Sequence, residues 1–238
     1  TGIDCYAMYN DVSGTVNISG GTVSATDQYS AAICNSSTGT VNVTDGTVST
    51  TTGYAIYDYG TVNVSGGTVS ATTGKAIYNS TNGTITVTGG TVEATGSDGR
   101  AIHNNGAGTI TVSENAAVSA TGSVGRAIHN NSGGTITVSG NAEVSATGTD
   151  GYAIYNNTGG TVTVSGNAAV KATNGYAIYN YSTGEVKVEG GEVSAATGNA
   201  ICNQAGGVIN VSCGNVTAAR ANSAIYNYSP AAANITGG

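Results

Sequence analysis

The chain has 238 residues, only 8% of them charged, with a net charge of −7, 38 glycines, a single proline and 14 tyrosines as its only aromatic residues. The acidic balance speaks against nucleic acid, whose binding rests on Lys and Arg neutralising phosphates, and against anionic membrane surfaces. No apolar run approaches the roughly 20 residues of a membrane-spanning helix, and no secretion signal is visible at Thr1.

Low charge with few bulky apolar groups is also a composition of disorder. Here the small apolar residues recur at fixed places, and Val, Ile, Thr and Tyr favour pleated strands. The first element is Ala7-Met8-Tyr9-Asn10, a small-apolar pair followed two residues on by an amide. It returns as Ala32-Ile33-Cys34-Asn35, Ala55-Ile56-Tyr57-Asp58, Ala76-Ile77-Tyr78-Asn79 and Ala101-Ile102-His103-Asn104. It continues as Ala127-Ile128-His129-Asn130, Ala153-Ile154-Tyr155-Asn156, Ala177-Ile178-Tyr179-Asn180, Ala200-Ile201-Cys202-Asn203 and Ala224-Ile225-Tyr226-Asn227. The copies are spaced by 21 to 26 residues, and self-similarity at such a period is the mark of a repeat architecture.

Two further segments follow each marker. The second alternates, as in Thr61-Val62-Asn63-Val64 or Thr161-Val162-Thr163-Val164; the third is shorter, as in Thr68-Val69-Ser70-Ala71 or Glu143-Val144-Ser145-Ala146. Val and Ala alternating with polar residues is the period-two signature of a strand, and Gly-Gly, Asn-Ala and Thr-Gly pairs mark turns between strands. One coil buries almost nothing alone. Stacked coils place each Val about 4.8 Å from its neighbour's Val and build a continuous thin core. The sequence therefore predicts an all-β fold: a right-handed parallel β-helix of about ten coils, each of roughly 24 residues and three short strands, some 45–50 Å long. Residues 1–238 read as one β-helix domain, a fragment of a longer array. A β-propeller blade needs about 40 residues, too many for this repeat.

Each repeat position becomes a row along the axis. The amide row, from Asn10 to Asn227 with Asp58 as its one acid, is expected to be an internal hydrogen-bonded ladder of the kind stacked amides form. The row beside it holds Tyr9, Cys34, Tyr57, Tyr78, His103, His129, Tyr155, Tyr179, Cys202 and Tyr226. It is expected to point outward, as a stacked aromatic ladder or as a sugar- or partner-binding stripe of flat rings with polar tips. A third row, just before the Ala, places Lys75, Arg100 and Arg126 on consecutive coils between Tyr54 and Tyr152. With His103 and His129 these cations predict a local basic patch. Like charges so close repel, so the faces of Tyr54 and Tyr152, the charge of Asp98, or an acidic glycan or protein face must offset them. The candidate ligand-binding residues are thus Tyr54, Tyr57, Lys75, Tyr78, Arg100, His103, Arg126, His129, Tyr152 and Tyr155. The two outer rows are three residues apart, which one regular strand cannot accommodate, so the chain must bend between them.

Flat faces of Thr-x-Thr pairs resemble ice-binding proteins, and Thr84-Ile85-Thr86, Thr109-Ile110-Thr111, Thr135-Ile136-Thr137 and Thr161-Val162-Thr163 fit on four consecutive coils. Glu185-Val186-Lys187 interrupts that face, and Glu93, Glu143 and Lys171 interrupt the next. Polysaccharide lyases and hydrolases need clustered carboxylates or a base in a groove, whereas the acids here are scattered. The Gly-rich stretches carry no phosphate-binding fingerprint. No cofactor, metal site or catalytic set is expected. Cys5, Cys34, Cys202 and Cys213 lie too far out of register for disulfide reach.

The core unit, Gly53-Tyr54-Ala55-Ile56-Tyr57 followed by Thr61-Val62-Asn63-Val64-Ser65-Gly66-Gly67-Thr68-Val69-Ser70-Ala71-Thr72, resembles repeats in large cell-surface proteins of gut Firmicutes, the adhesin-like, pectate-lyase-like β-helix arrays. The likeness spans nearly the whole chain. It implies a secreted, wall-attached, non-catalytic rod that serves as an adhesin stalk. Its partners would be a host or bacterial surface glycan or protein, with end-to-end or lateral self-association possible and no membrane insertion. An ice-binding solenoid is the alternative reading; a polysaccharide-processing enzyme comes third.

Overall fold

The computed structural model describes residues 5–219 and 222–237, and among them every regular element is a β-strand. The chain winds through ten coils whose strands pair in parallel with the coils before and after. The first strands of the coils, from Tyr6–Asn10 to Ile225–Asn227, form one ten-stranded sheet. Its register matches the repeat: Ile56 stands beside Ile77, Ile102 beside Ile128, Asn104 beside Asn130.

The second and third segments together form a fifteen-stranded sheet. Coils three to seven have three short strands, as in Thr61–Val64 and Thr68–Ala71 of coil three. In coils one, two, eight and nine the two segments run on as single strands of 11 residues, Thr15–Ala25, Thr40–Thr50, Glu185–Ala195 and Val208–Ala218. The corner in these coils is a bulge at a glycine-bearing turn, which the ladder survives with a shift of register. Coils five to seven carry one more corner residue and lose that continuity. Their extra Ala116, Ala142 and Ala168 turn into the interior, where each is fully buried.

Period-two alternation fills the core. In coil five Ala101, Ile102, Ile110, Val112, Val118 and Ala120 are all 0% exposed. At about 25 cal/mol per Å² of apolar surface, burying an Ile or Val contributes roughly 1.5–3 kcal/mol, and every coil repeats the gain. In coils two to nine the consecutive Ala and Ile at the first strand both face inward. The ladder skips the Ala, pairing Arg100 with Arg126 and then Ile102 with Ile128. That is the bend the sequence requires, and it brings Arg100 and His103 to one side of the sheet.

Turn columns impose a second constraint. A Cβ on Gly122 would overlap the carbonyl oxygen of Gly96, and one on Gly148 that of Gly122. Backbone atoms cannot swing away as a flexible side chain can. Gly122→Ala is therefore expected to cost about 1–3 kcal/mol in urea unfolding followed by circular dichroism. Gly133→Ala, whose Cβ would meet nothing within 4 Å, should be neutral or slightly stabilising.

Candidate functional site

Two features dominate the first sheet, one on each side. Inside runs the amide file. Asn79, Asn104, Asn130, Asn156 and Asn180 are 0% exposed. Each Nδ2 donates to the Oδ1 of the next coil at 2.7–2.8 Å. The same Nδ2 also donates to the carbonyl of a glycine four residues on, as Asn130 does to Gly134 at 2.9 Å. Both donor hydrogens are thus used, and the turn after each first strand is tied to its own coil. The file is structural, as its residue type suggests. Asp58 is the exception. Its Oδ1 accepts from Asn35 Nδ2 at 2.6 Å and from the Gly60 amide at 3.0 Å, while its Oδ2 is buried without a partner.

Outside runs the stripe. From coil three to coil eight both outward positions carry a ring or a cation: Tyr54, Lys75, Arg100, Arg126, Tyr152 and Tyr176 in one row, Tyr57, Tyr78, His103, His129, Tyr155 and Tyr179 in the other. All ten candidate residues named from the sequence lie in this one surface. Tyr176 and Tyr179 continue the two rows into coil eight, and the structure adds Tyr59 and Tyr181. These last two stand two residues beyond Tyr57 and Tyr179 and pack on them at 5.2 and 6.1 Å between ring centroids. Extending the period-two count past the amide would have found them.

The rings pack on one another along the axis, tilted or edge-on in coils three and four and face to face between coils seven and eight. Tyr152 and Tyr176 stack at 5.5 Å and 13°, Tyr155 and Tyr179 at 5.3 Å and 13°. Ring faces are therefore largely spent on neighbouring rings, and the stripe presents mainly edges and hydroxyls. The aromatic-ladder expectation holds, whereas a row of open flat platforms is not what the geometry provides.

The cations splay apart, as like charges on adjacent coils must. Lys75 Nζ leans back over Tyr54 at 5.0 Å, and the Arg126 guanidinium leans forward over Tyr155 at 4.6 Å and Tyr152 at 5.5 Å. Ring faces thus take up two of the three charges. Arg100, between them, has no ring under its guanidinium, and among the described residues no acid lies within ion-pair distance of it. Asp98 acts on it only through its field. Burial, then the neighbouring cation, pulls the pKa of both Lys75 and Arg100 downward.

The histidines require a correction. The sequence placed His103 and His129 in an outward row and counted them into a basic patch. They are 8% and 7% exposed and stack on each other at 4.6 Å and 6°. Desolvation first, then the charges nearby, pushes their pKa values down to about 3 and about 2. Both are neutral at physiological pH, and the positive charge of the patch comes from Lys75, Arg100 and Arg126 alone. Nδ1 and Nε2 of His103 and Nδ1 of His129 are buried without hydrogen-bond partners.

The threonine file is in register on coils four to seven. Ion pairs bound the faces it belongs to: Lys187–Glu185 at 3.2 Å on its own face and Lys171–Glu143 at 3.7 Å on the next. Shallow concavities of about 440 Å³ lie away from the stripe, one lined by Glu143, Lys171 and small residues, another near Val211 and Ile235. Among the described residues no three His, Cys, Asp or Glu side chains converge. Cys5, Cys202 and Cys213 carry free thiols. Comparison with family models, curated proteins and solved structures finds no match to this chain.

Proposed function

We propose that this chain is a non-catalytic extracellular β-solenoid, working as an adhesin stalk that holds a surface glycan or protein against the tyrosine–cation stripe of its first sheet. The stripe carries the reading. Six consecutive coils devote both outward positions to rings or cations, while the other faces are mostly Thr, Ser, Asn and Gly with scattered acids and the paired Lys171 and Lys187. A purely structural ladder needs aromatic stacking, but it does not need three cations whose charge no acid among the described residues pairs. The rod supplies rigidity, since each coil pairs in parallel with the next and coils two to nine share a buried apolar core. The acids support the non-catalytic half of the reading. Among the described residues, Glu143 and Glu185 are paired with lysines and Asp58 is sealed in the interior, which withdraws these three from the paired-carboxylate chemistry of sugar hydrolysis. Ice binding, the second reading, draws on a threonine file that covers four coils only.

Binding of the purified chain to a panel of immobilised neutral and acidic glycans and host surface proteins tests this. At least one saturable ligand is expected, with affinity falling tenfold or more in Tyr57→Ala or Tyr155→Ala variants that keep the wild-type circular dichroism. Silence across the whole panel would reduce the chain to a spacer.

A further inference from the structure

We infer that the ligand of the stripe is an acidic polysaccharide, its carboxylate or sulfate groups seated over Arg100 between coils four and six and its chain running along the rod. This rests on the binding role proposed above and names the class of ligand. Three observations carry it.

The first is charge. Of the three stacked cations, Lys75 and Arg126 have turned onto tyrosine rings on opposite sides, which leaves the central guanidinium of Arg100 without ring or acid. Its Nε is buried and unpartnered, as is that of Arg126. The Arg100 side chain as a whole is only partly buried, and an anion seated on the outer part of its guanidinium would give it the counter-charge the fold withholds and relieve the repulsion along the row. The net charge of −7 sharpens the point, because the rod as a whole repels polyanions, and among the described residues Lys171 and Lys187, the cations outside this patch, are each paired with a glutamate.

The second is the floor of the site. Two neutral imidazoles, more than nine-tenths buried, stack beneath the cations with three ring nitrogens unpaired. Buried polar groups nearly always have partners, and leaving one without costs about 1–3 kcal/mol. These nitrogens lie too deep for a ligand to touch, so the two neutral rings act as a floor that adds no charge and leaves an incoming anion to the cations of the row.

The third is shape. Among the described residues the concavities that touch the stripe, about 360 Å³ each, lie at its margins beside Tyr59 and Tyr176 and are open, so a small molecule would find little to surround it. What recurs instead, once per coil at about 4.8 Å, is a donor: a tyrosine hydroxyl, an ammonium or a guanidinium. A flat file of donors suits an extended, acceptor-rich chain whose own units repeat. An acidic protein segment would satisfy Arg100, but it gives no reason for the tyrosine rows to continue two or more coils to either side.

Binding of the intact chain is measured to polygalacturonate and its fully methyl-esterified form, to sulfated and unsulfated dextran, and to poly-glutamate, at low and high salt. Polygalacturonate or sulfated dextran is expected to bind, with affinity falling as salt rises and at least tenfold in Arg100→Gln. The comparison of carboxylate with sulfate decides which group the site takes. Lys171→Gln, on another face and paired with Glu143, should leave affinity unchanged. Equal binding of the esterified or unsulfated forms would overturn the anion assignment while leaving a glycan-binding role standing. Tighter binding of poly-glutamate than of either acidic polysaccharide would transfer the site to a protein partner, and no binding to any glycan or protein would sink both readings. Full retention of affinity in Arg100→Gln would move the site elsewhere on the rod.

Discussion

Asp58→Asn is expected to stabilise the rod by about 3 kcal/mol at pH 8 and by almost nothing near pH 4. In coils where the amide file is intact, the position of Asp58 Oδ2 is held by an Nδ2 that donates twice, as Asn79 does to Asn104 at 2.7 Å and to Gly83 at 3.1 Å. An ionised carboxylate can donate to neither partner. Burial drives the Asp58 pKa from 3.8 up to about 6, against the opposing pull of the hydrogen bonds from Asn35 and Gly60. Because the folded-state value lies above the unfolded one, this group's contribution to stability is fully present below pH 3.8 and is lost as pH rises through about 6. A shift of about two pKa units at 1.36 kcal/mol each gives the magnitude.

The two histidines act in the opposite sense. Their folded values, about 3 and about 2, lie below 6.5, so their contribution is present above pH 6.5 and is lost as pH falls through those values. The wild-type curve alone mixes the two effects. Subtracting wild-type from Asp58→Asn stability at each pH cancels the histidines and isolates the carboxyl. That difference, from urea titrations, should be flat above pH 7 and decline toward zero near pH 4. A difference that does not vary with pH would show that the carboxyl never changes its protonation on folding.

The coil register was open to reading because in a solenoid each residue's partner lies one repeat away. The interval from Asn130 to Asn156 in the sequence is the same interval across which their side chains bond. The bend between Arg100 and His103 was also legible, since a three-residue spacing on one face violates period two. Solvation was not. Whether His103 is a wet surface cation or a dry neutral ring depends on how Arg100, Arg126 and the flanking tyrosines lie over it, and the letter in the row is silent on that. Asp58 looked like a conservative member of an amide row because the exchange keeps the shape. It removes the donor that would reach the next amide of the file and leaves Oδ2 buried without a partner, and only the packing shows that. Corner length could be counted from the sequence, but whether the ladder survives the corner depends on backbone angles at residues such as Gly46 and Gly191, both at positive φ. These are conformations glycine alone adopts freely.

The converse substitution tests the same physics where the file is intact. Asn130 accepts from Asn104 at 2.8 Å and donates to Asn156 at 2.8 Å and Gly134 at 2.9 Å. Asn130→Asp keeps the acceptor, deletes both donated bonds and seals a charge in the core. The loss at pH 8 should be about 4 kcal/mol, within the range for an uncompensated buried charge, and larger than the cost at Asp58, which the Gly60 amide partly offsets. Lowering the pH to 4 should restore most of it, because a protonated carboxyl can donate one bond again. Coils three and six are about 14 Å apart, so Asp58→Asn and Asn130→Asp should add to within about 0.5 kcal/mol if the file is a sum of neighbouring bonds. A larger departure would mean that polarisation runs along the file as a unit. Wild-type stability of Asn130→Asp at pH 8 would show that the buried amides contribute nothing to holding the coils together.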